Sequence, residues 1–572
     1  MAAYIYFTKY YSFPQRVGVR AMSVIELDMN RIEIDENGVK NFCWPVEIRE
    51  FFSMRDAAAA GLVQVGRRAV SKNSEVAGAF SVILHYFLLE AITAFNSYLL
   101  VSRAESCGLI INPSDYSFVV SSFVKNRTPD IPKIDVPAWL RKGPAPLSML
   151  RTPVRFVRDL IVPNGIPRRR LIAPSFQKEI ISTNAQPMAE AHAQSIAEKV
   201  TFRRLNLWFG EMKKNDSISS SAEKAASALA DEAMEVIEES FRAGDLKLPG
   251  FIAKYLNDMV RDSISLAHMR LLGLLETPGI IPRRLWTGTG GFLWDRLLRR
   301  AVRELGGHVT GHDHAMGDGH MKEYNKTLTE YENCNKFVAS TPRQAESYKK
   351  FLRPDLLIQS PPPEIVPLPP SAKRFDFSSI QKKYSHPGNA KKKYAKDKLQ
   401  VMFVGTFYPC EHARYGGLLM PDVVAVDWQA RLFGWLLRNG YGVIHKPHPD
   451  SIRRLSPAFE KSLNVRPNLE PFEQVLDSAD VLVFDCHTST TLAGAMISKK
   501  PIVYIDFELG EFDPAAREMI ERRSRMIKGW FSEDNRAHVD WEEFRKAIVE
   551  ASELIHDSTF TDEYIGVSLN PN

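Results

Sequence analysis

Between Leu399 and Asp506, apolar runs of strand length alternate with stretches of helical period, and this alternation limits the fold more than any other feature. Strand LQVMFVGTF is followed by helix VDWQARLFGWLLRNG, with Gly440 as its stop. Strand GVIHK, helix PFEQVLDSA, strand DVLVFD, helix LAGAMISKK and strand PIVYID complete the series. Apolar strands alternating with amphipathic helices predict a parallel, doubly wound sheet. In such a sheet ligands bind beyond the carboxyl ends of the strands. The loops leaving those strands are therefore where chemistry is expected.

A second α/β region is expected upstream. RRLWTGTGGFLWDRLLRRAVRELGGHVTGHDH reads as strand, Gly-rich turn, helix and strand, and NKFVASTPRQAESYKKFL as a further strand–loop–helix unit. The helix from Phe292 to Leu305 has apolar residues at 293, 297, 298, 302 and 305, close to a 3.6-residue period. Residues 185–275 read as helices, with a start at Ser221. Six prolines between Pro361 and Pro370 mark a boundary, because they favour an extended connector. These readings divide the chain into a largely helical region at 1–275, which carries a basic, Pro-rich segment at 125–170, and an α/β part at 276–358. A linker at 359–398, an α/β domain at 399–556 and a tail at 557–572 follow.

With 572 residues, 44% hydrophobic and 25% charged, the chain has material for two or three cores. The net charge of +6 suits an anionic ligand but not a dedicated nucleic-acid binder. Five scattered cysteines form no CxxC pair, which argues against a disulfide framework or zinc knuckle and fits a reducing cytosol. No secretory signal is expected at the N-terminus. The most apolar window, about 77–100, is interrupted by His85, Glu90 and Asn96, so a buried or interfacial helix is expected rather than a membrane span. The segment RTPVRFVRDLIVPNGIPRRR reads as an irregular connection or as a platform for a membrane surface or anionic acceptor.

Three loops of the C-terminal domain carry the candidate site. Gly405 and Thr406 follow the first strand. Lys446-Pro447-His448-Pro449 follows the second, where the prolines fix the backbone and hold the imidazole beside a cation. His487, Thr488, Ser489 and Thr490 open a helix, and their hydroxyls and N–H groups form an anion site reinforced by the helix dipole. There is no Walker loop, and Gly288-Thr289-Gly290-Gly291 is not a dinucleotide fingerprint. Upstream, GHDHAMGDGH gathers His312, Asp313, His314, Asp318 and His320. Asp313 or His314 is the candidate general base, and no metal site is expected.

The His-Pro motif and the frame ADVLVFDCHTSTTLAGAMISKKPIVYIDF resemble bacterial surface-polysaccharide glycosyltransferases of GT-B type. The capsule Kdo transferases and polysialyltransferases use CMP-activated sugars, and the teichoic-acid glycerophosphotransferases use CDP-glycerol. The resemblance covers about 400–506, thinly 283–342, and none of the first 280 residues. It implies an α/β chain with two facing Rossmann-like domains and a helical N-terminal elaboration. His448 would engage the donor phosphate, Thr488, Ser489 and Thr490 would form the phosphate loop, and the base would lie between His312 and Gly319. Where the family tends to carry an acid-Asp-Gly or His-Gly, this chain has His314-Ala315 and Asp318-Gly319. The expected activity is inverting, metal-independent transfer of an ulosonic-acid-like sugar from a CMP donor to a glycan, glycolipid or protein acceptor. No cofactor is expected beyond the nucleotide sugar, and no nucleic-acid partner. The expected setting is cytoplasmic, with peripheral contact to the inner membrane. Alternatives are a CDP-glycerol-type transferase, a UDP-sugar epimerase and a non-catalytic carbohydrate-assembly subunit.

Overall fold

The computed structural model describes residues 24–50, 53–112, 180–183, 187–196, 200–203, 208–209, 212–213, 217–277, 279–288, 290–313, 319–322, 326–369, 372, 398–405, 408, 419–449, 451, 456–486 and 490–567. Short strands β1 (Val24–Glu26), β2 (Ile34–Asp35) and β3 (Gly38–Val39) precede helices α1 (Arg55–Ser71) and α2 (Ala77–Ser106). Strand β4 (Ile110–Asn112) pairs in parallel with β1. The basic segment at 125–170 lies outside the described residues.

The first large sheet uses β5 (Ile180–Ser182) and β6 (Val200–Phe202), with α3 (Pro187–Ser195) between them. Helices α4 (Ser220–Ala243) and α5 (Gly250–Leu275) follow, then β7 (Arg284–Thr287), α6 (Leu293–Glu304) and β8 (His308–His312). Strand β9 (Lys336–Ala339), α7 (Pro342–Phe351) and β10 (Glu364–Pro367) complete it. All six strands run parallel, in the spatial order β6-β5-β7-β8-β9-β10. The α/β region thus begins at 180, well before 276, and extends into the proline segment. β10 can use that segment because it is an edge strand, where proline's missing N–H costs no ladder bond. Its inner edge is still paired: Glu364 N–H donates to Asn335 O (3.0 Å) and Leu368 N–H to Ala339 O (2.8 Å).

Helices α1, α2, α4 and α5 form a layer that reaches the sheet through α6. α4 begins at Ser220, one residue before the expected Ser221, because the Ser219 hydroxyl caps it by accepting from Ala222 N–H (3.1 Å). Among the described residues, α2 is the one helix long and apolar enough to cross a membrane, and 83% of its most apolar window is buried inside the fold. Its all-round apolar surface matches its position among α1, α5 and α6. His85 and Asn96, which interrupt the apolar run, are both buried there.

The second sheet contains β11 (Gln400–Val404), α8 (Asp422–Arg438), β12 (Gly442–Lys446), α9 (Ala458–Leu463) and β13 (Val481–Phe484). α10 (Thr490–Ile497), β14 (Ile502–Asp506), α11 (Pro514–Arg523), β15 (Arg525–Phe531), β16 (Ala537–Val539) and α12 (Trp541–Glu550) follow. The spatial order is β12-β11-β13-β14-β15-β16, parallel except for the last pair. Numbered within each sheet, both read 2-1-3-4-5-6. Each therefore reverses its winding between its first and third strands, and that is where an open sheet leaves a crevice.

Two crossings tie the halves together. The β2–β3 hairpin lies on α8: Val39 N–H donates to Asp427 Oδ1 (2.9 Å), and a Cβ at Gly434 would lie 2.3 Å from Glu36 O. At the other end, Thr561–Ile565 packs against α7. The loop leaving β8 also meets the loop leaving β14: Lys322 N–H donates to Glu511 O (2.8 Å) and Asp513 N–H to His320 O (2.9 Å). Loops from the carboxyl ends of both sheets are thus in contact.

Candidate functional site

The corner after β12 is held on both sides. Gly405 N–H donates to Lys446 O (3.0 Å), and Tyr408 N–H donates to Ser451 Oγ (2.9 Å), which couples the loop after β11 to the loop after β12. Ser451 N–H closes the turn on His448 O (2.9 Å). Pro447 is buried, Pro449 is exposed, and His448 stands half-buried between them. The Lys446 ammonium folds back onto Pro447 O (3.2 Å). Burial holds its pKa below the ordinary lysine value, with Glu473 opposing. His445, three residues earlier, is a true core histidine. It packs among Phe433, Phe459 and Phe403, and burial depresses its pKa to about 3, with Lys446 adding to the effect. The prolines thus separate a structural histidine from one presented at the sheet's edge.

Asp485 leaves β13, and α10 begins at Thr490. Asp485 Oδ2 accepts from Trp428 Nε1 of α8 (3.0 Å). Burial pushes its carboxyl up to about 7, against the pull of the Trp428 bond. His314, Thr406, His487, Thr488 and Ser489 lie outside the described residues, as does the side chain of Thr490.

On the first sheet, the candidates in the His/Asp loop are placed very differently from one another. His312 Nδ1 faces Thr287 O (3.2 Å), so it carries the proton, and Nε2 accepts from His192 Nδ1 (3.0 Å). His192 stacks on Trp286 with centroids 4.5 Å apart. Burial lowers His312 to about 3, with His192 adding to the effect, and the neutral pair anchors α3 to the sheet. Asp313 is buried at the end of β8. Its Oδ1 is 3.1 Å from Lys326 Nζ, and its Oδ2 accepts from Tyr348 OH (2.5 Å). Lys326 Nζ also donates to Tyr348 OH (2.7 Å) and lies 4.3 Å from that ring's centroid. His320 sits between Phe512 and Phe560 where the two halves meet.

The structure therefore brings Gly405, Lys446 and His448 together at one edge, and encloses Asp313 in a buried acid–lysine–tyrosine triangle. Lys326, Tyr348 and Asp485 were not singled out as site residues from sequence. Asp485 lies within the quoted ADVLVFDCHTSTT frame, but Lys326 and Tyr348 stand in no motif, and only the fold brings them to Asp313. Tyr348→Phe removes one donor from a buried carboxylate and should lower stability by about 1–3 kcal/mol, read from denaturant midpoints at pH 7. An unchanged midpoint would show that the triangle carries no load.

Among the described residues, no group of three or more His, Cys, Asp or Glu side chains is placed to hold a metal. No protein-family model matches the chain, and a search of curated proteins finds no significant match.

Proposed function

We propose that this protein is an inverting glycosyltransferase of GT-B type that takes a sugar, an ulosonic acid such as Kdo or a sialic-acid-like sugar, from a CMP-activated donor. The observation that carries this reading is the pair of sheets with identical 2-1-3-4-5-6 order, with loops from the carboxyl ends of both in contact. In this reading the second sheet binds the nucleotide. The acceptor oxygen attacks the anomeric carbon, the bond to the phosphate oxygen breaks, and its electron pair leaves with CMP. Lys446, His448, the Thr488–Ser489–Thr490 hydroxyls and the N–H groups opening α10 meet the charge on the departing phosphate, so the step needs no metal ion. A base takes the acceptor proton. Because both Asp313 oxygens are engaged, Asp313 serves as a positioning residue and His314 is the proposed base.

The helical layer and the basic segment at 125–170 form the acceptor side, for a glycan, glycolipid or protein at the cytoplasmic face of the membrane. The test is a thermal-shift panel with CMP, CDP, UDP, GDP and UMP, each with and without EDTA. A ligand at 100 times its Kd should add about 2.7 kcal/mol. Stabilisation by CMP that survives EDTA is the expected result. A preference for CDP would point to glycerophosphate transfer, a preference for UDP to an epimerase, and no response to any nucleotide would overturn the enzyme reading.

A further inference from the structure

Asp485 stands at the reversal point of the second sheet, as the first residue past β13 and beside β11. One of its oxygens is explained: Oδ2 accepts from Trp428 Nε1 and ties α8 to the strand end. The other is not, because Oδ1 is buried with no hydrogen-bond partner. A buried acceptor left unpaired costs free energy, and it calls for a physical reason. Pinning Trp428 does not supply one, since a neutral asparagine would accept the same indole proton without a buried charge.

The surroundings narrow the choice of partner. Tyr408, in the loop after β11, and Tyr504, on β14, both lie within electrostatic reach of Asp485. The Tyr408 hydroxyl is engaged with Gln429 (2.7 Å). Among the described residues, no cation contributes to Asp485's ionisation. A carboxylate so placed repels phosphate and accepts a neutral donor. Lys446, two strands away across the same edge, is the group suited to phosphate.

We propose that Asp485 Oδ1 accepts a hydrogen bond from a ribose hydroxyl of the bound nucleotide, which makes Asp485 a recognition residue of the donor site. This rests on the reading of the second sheet as the nucleotide-binding half. At a strand reversal point the ribose is the hydroxyl-bearing group next to the phosphate, and an acid is the side chain that recognises it.

Titration calorimetry of the full chain with CMP and with 2′,3′-dideoxy-CMP tests this. The wild type should prefer CMP by about tenfold or more, the worth of a hydrogen bond to a charged acceptor. In Asp485→Asn, which keeps an acceptor for Trp428, that preference should collapse. Trp428→Phe, which removes the pin but keeps the acid, should retain it. The carboxylate is the accepting form, and burial holds Asp485 up to about 7. Wild-type affinity for CMP should therefore rise from pH 6 to pH 8 relative to the Asn variant, which cancels the phosphate's own titration. An identical CMP preference in wild type and Asp485→Asn would overturn the role of Asp485 while leaving the transferase reading intact. A wild type that binds no CMP would overturn both.

Discussion

His448→Ala should leave the fold standing and abolish turnover. The backbone bonds that close this corner do not pass through the imidazole. Pro447 and Pro449 fix the chain, Ser451 N–H closes on the backbone carbonyl of His448, and Gly405 N–H closes on Lys446 O. All of these survive truncation at Cβ. The side chain is only half-buried, so the stability change should stay within about 1 kcal/mol. The rate should fall by about 10²–10⁴-fold, the usual range for losing a positioned acid–base group. The measurement is single-turnover release of CMP from a CMP-sugar, alongside the variant's melting temperature. A variant with normal rate would remove the proposed centre. One that loses rate only in proportion to lost folded protein would mean that His448 holds the corner after all.

How much of this was legible in the sequence depended on how local the physics was. β11, β13 and β14 fall within the expected runs, because strands buried on both faces are largely apolar, and the edge strand β12 falls on GVIHK to the residue. β5 and β6 were missed: each has only three residues, set between helical patterns, and gains its identity from pairing with β7 and with each other. β10 was hidden by prolines that an edge strand tolerates. His448 was visible because its restraint is in the adjacent residues. The restraint on Asp313 is not, since Lys326 and Tyr348 are 13 and 35 residues away and meet it only in the folded sheet. The Gly288–Gly291 turn matches no fingerprint, yet the buried charges of Arg299 and Glu330 both bond its backbone.

That charge gives the largest expected loss of stability. Arg299 and Asp295 are fully buried and paired at 2.7 Å. Arg299 also donates to Glu330 O (3.0 Å) and Gly288 O (3.3 Å), and Glu330 Oε2 accepts from Gly290 N–H (2.6 Å). A Cβ at Gly290 would lie 1.9 Å from Thr329 O, so the turn is pressed directly onto the segment this network orders. Burial raises the pKa of Asp295, and Arg299 is the main group pulling it back. Arg299→Met should therefore strand a buried carboxylate and cost about 3–5 kcal/mol. The deficit should depend on pH in a definite direction. Without its partner, Asp295 titrates higher in the folded chain than in the unfolded chain, so folding takes up a proton. Stability of the variant then falls as pH rises above the ordinary aspartate range, and acidification narrows the gap to wild type. Adding Asp295→Leu should restore part of the loss and remove this pH dependence, because an apolar pair carries no stranded charge. Denaturant melts of both variants at pH 5 and pH 8 separate the two contributions. If the double variant is as unstable as the single one at both pH values, the bonds from Arg299 to the backbone of the two loops, rather than its pairing with Asp295, hold the turn in place.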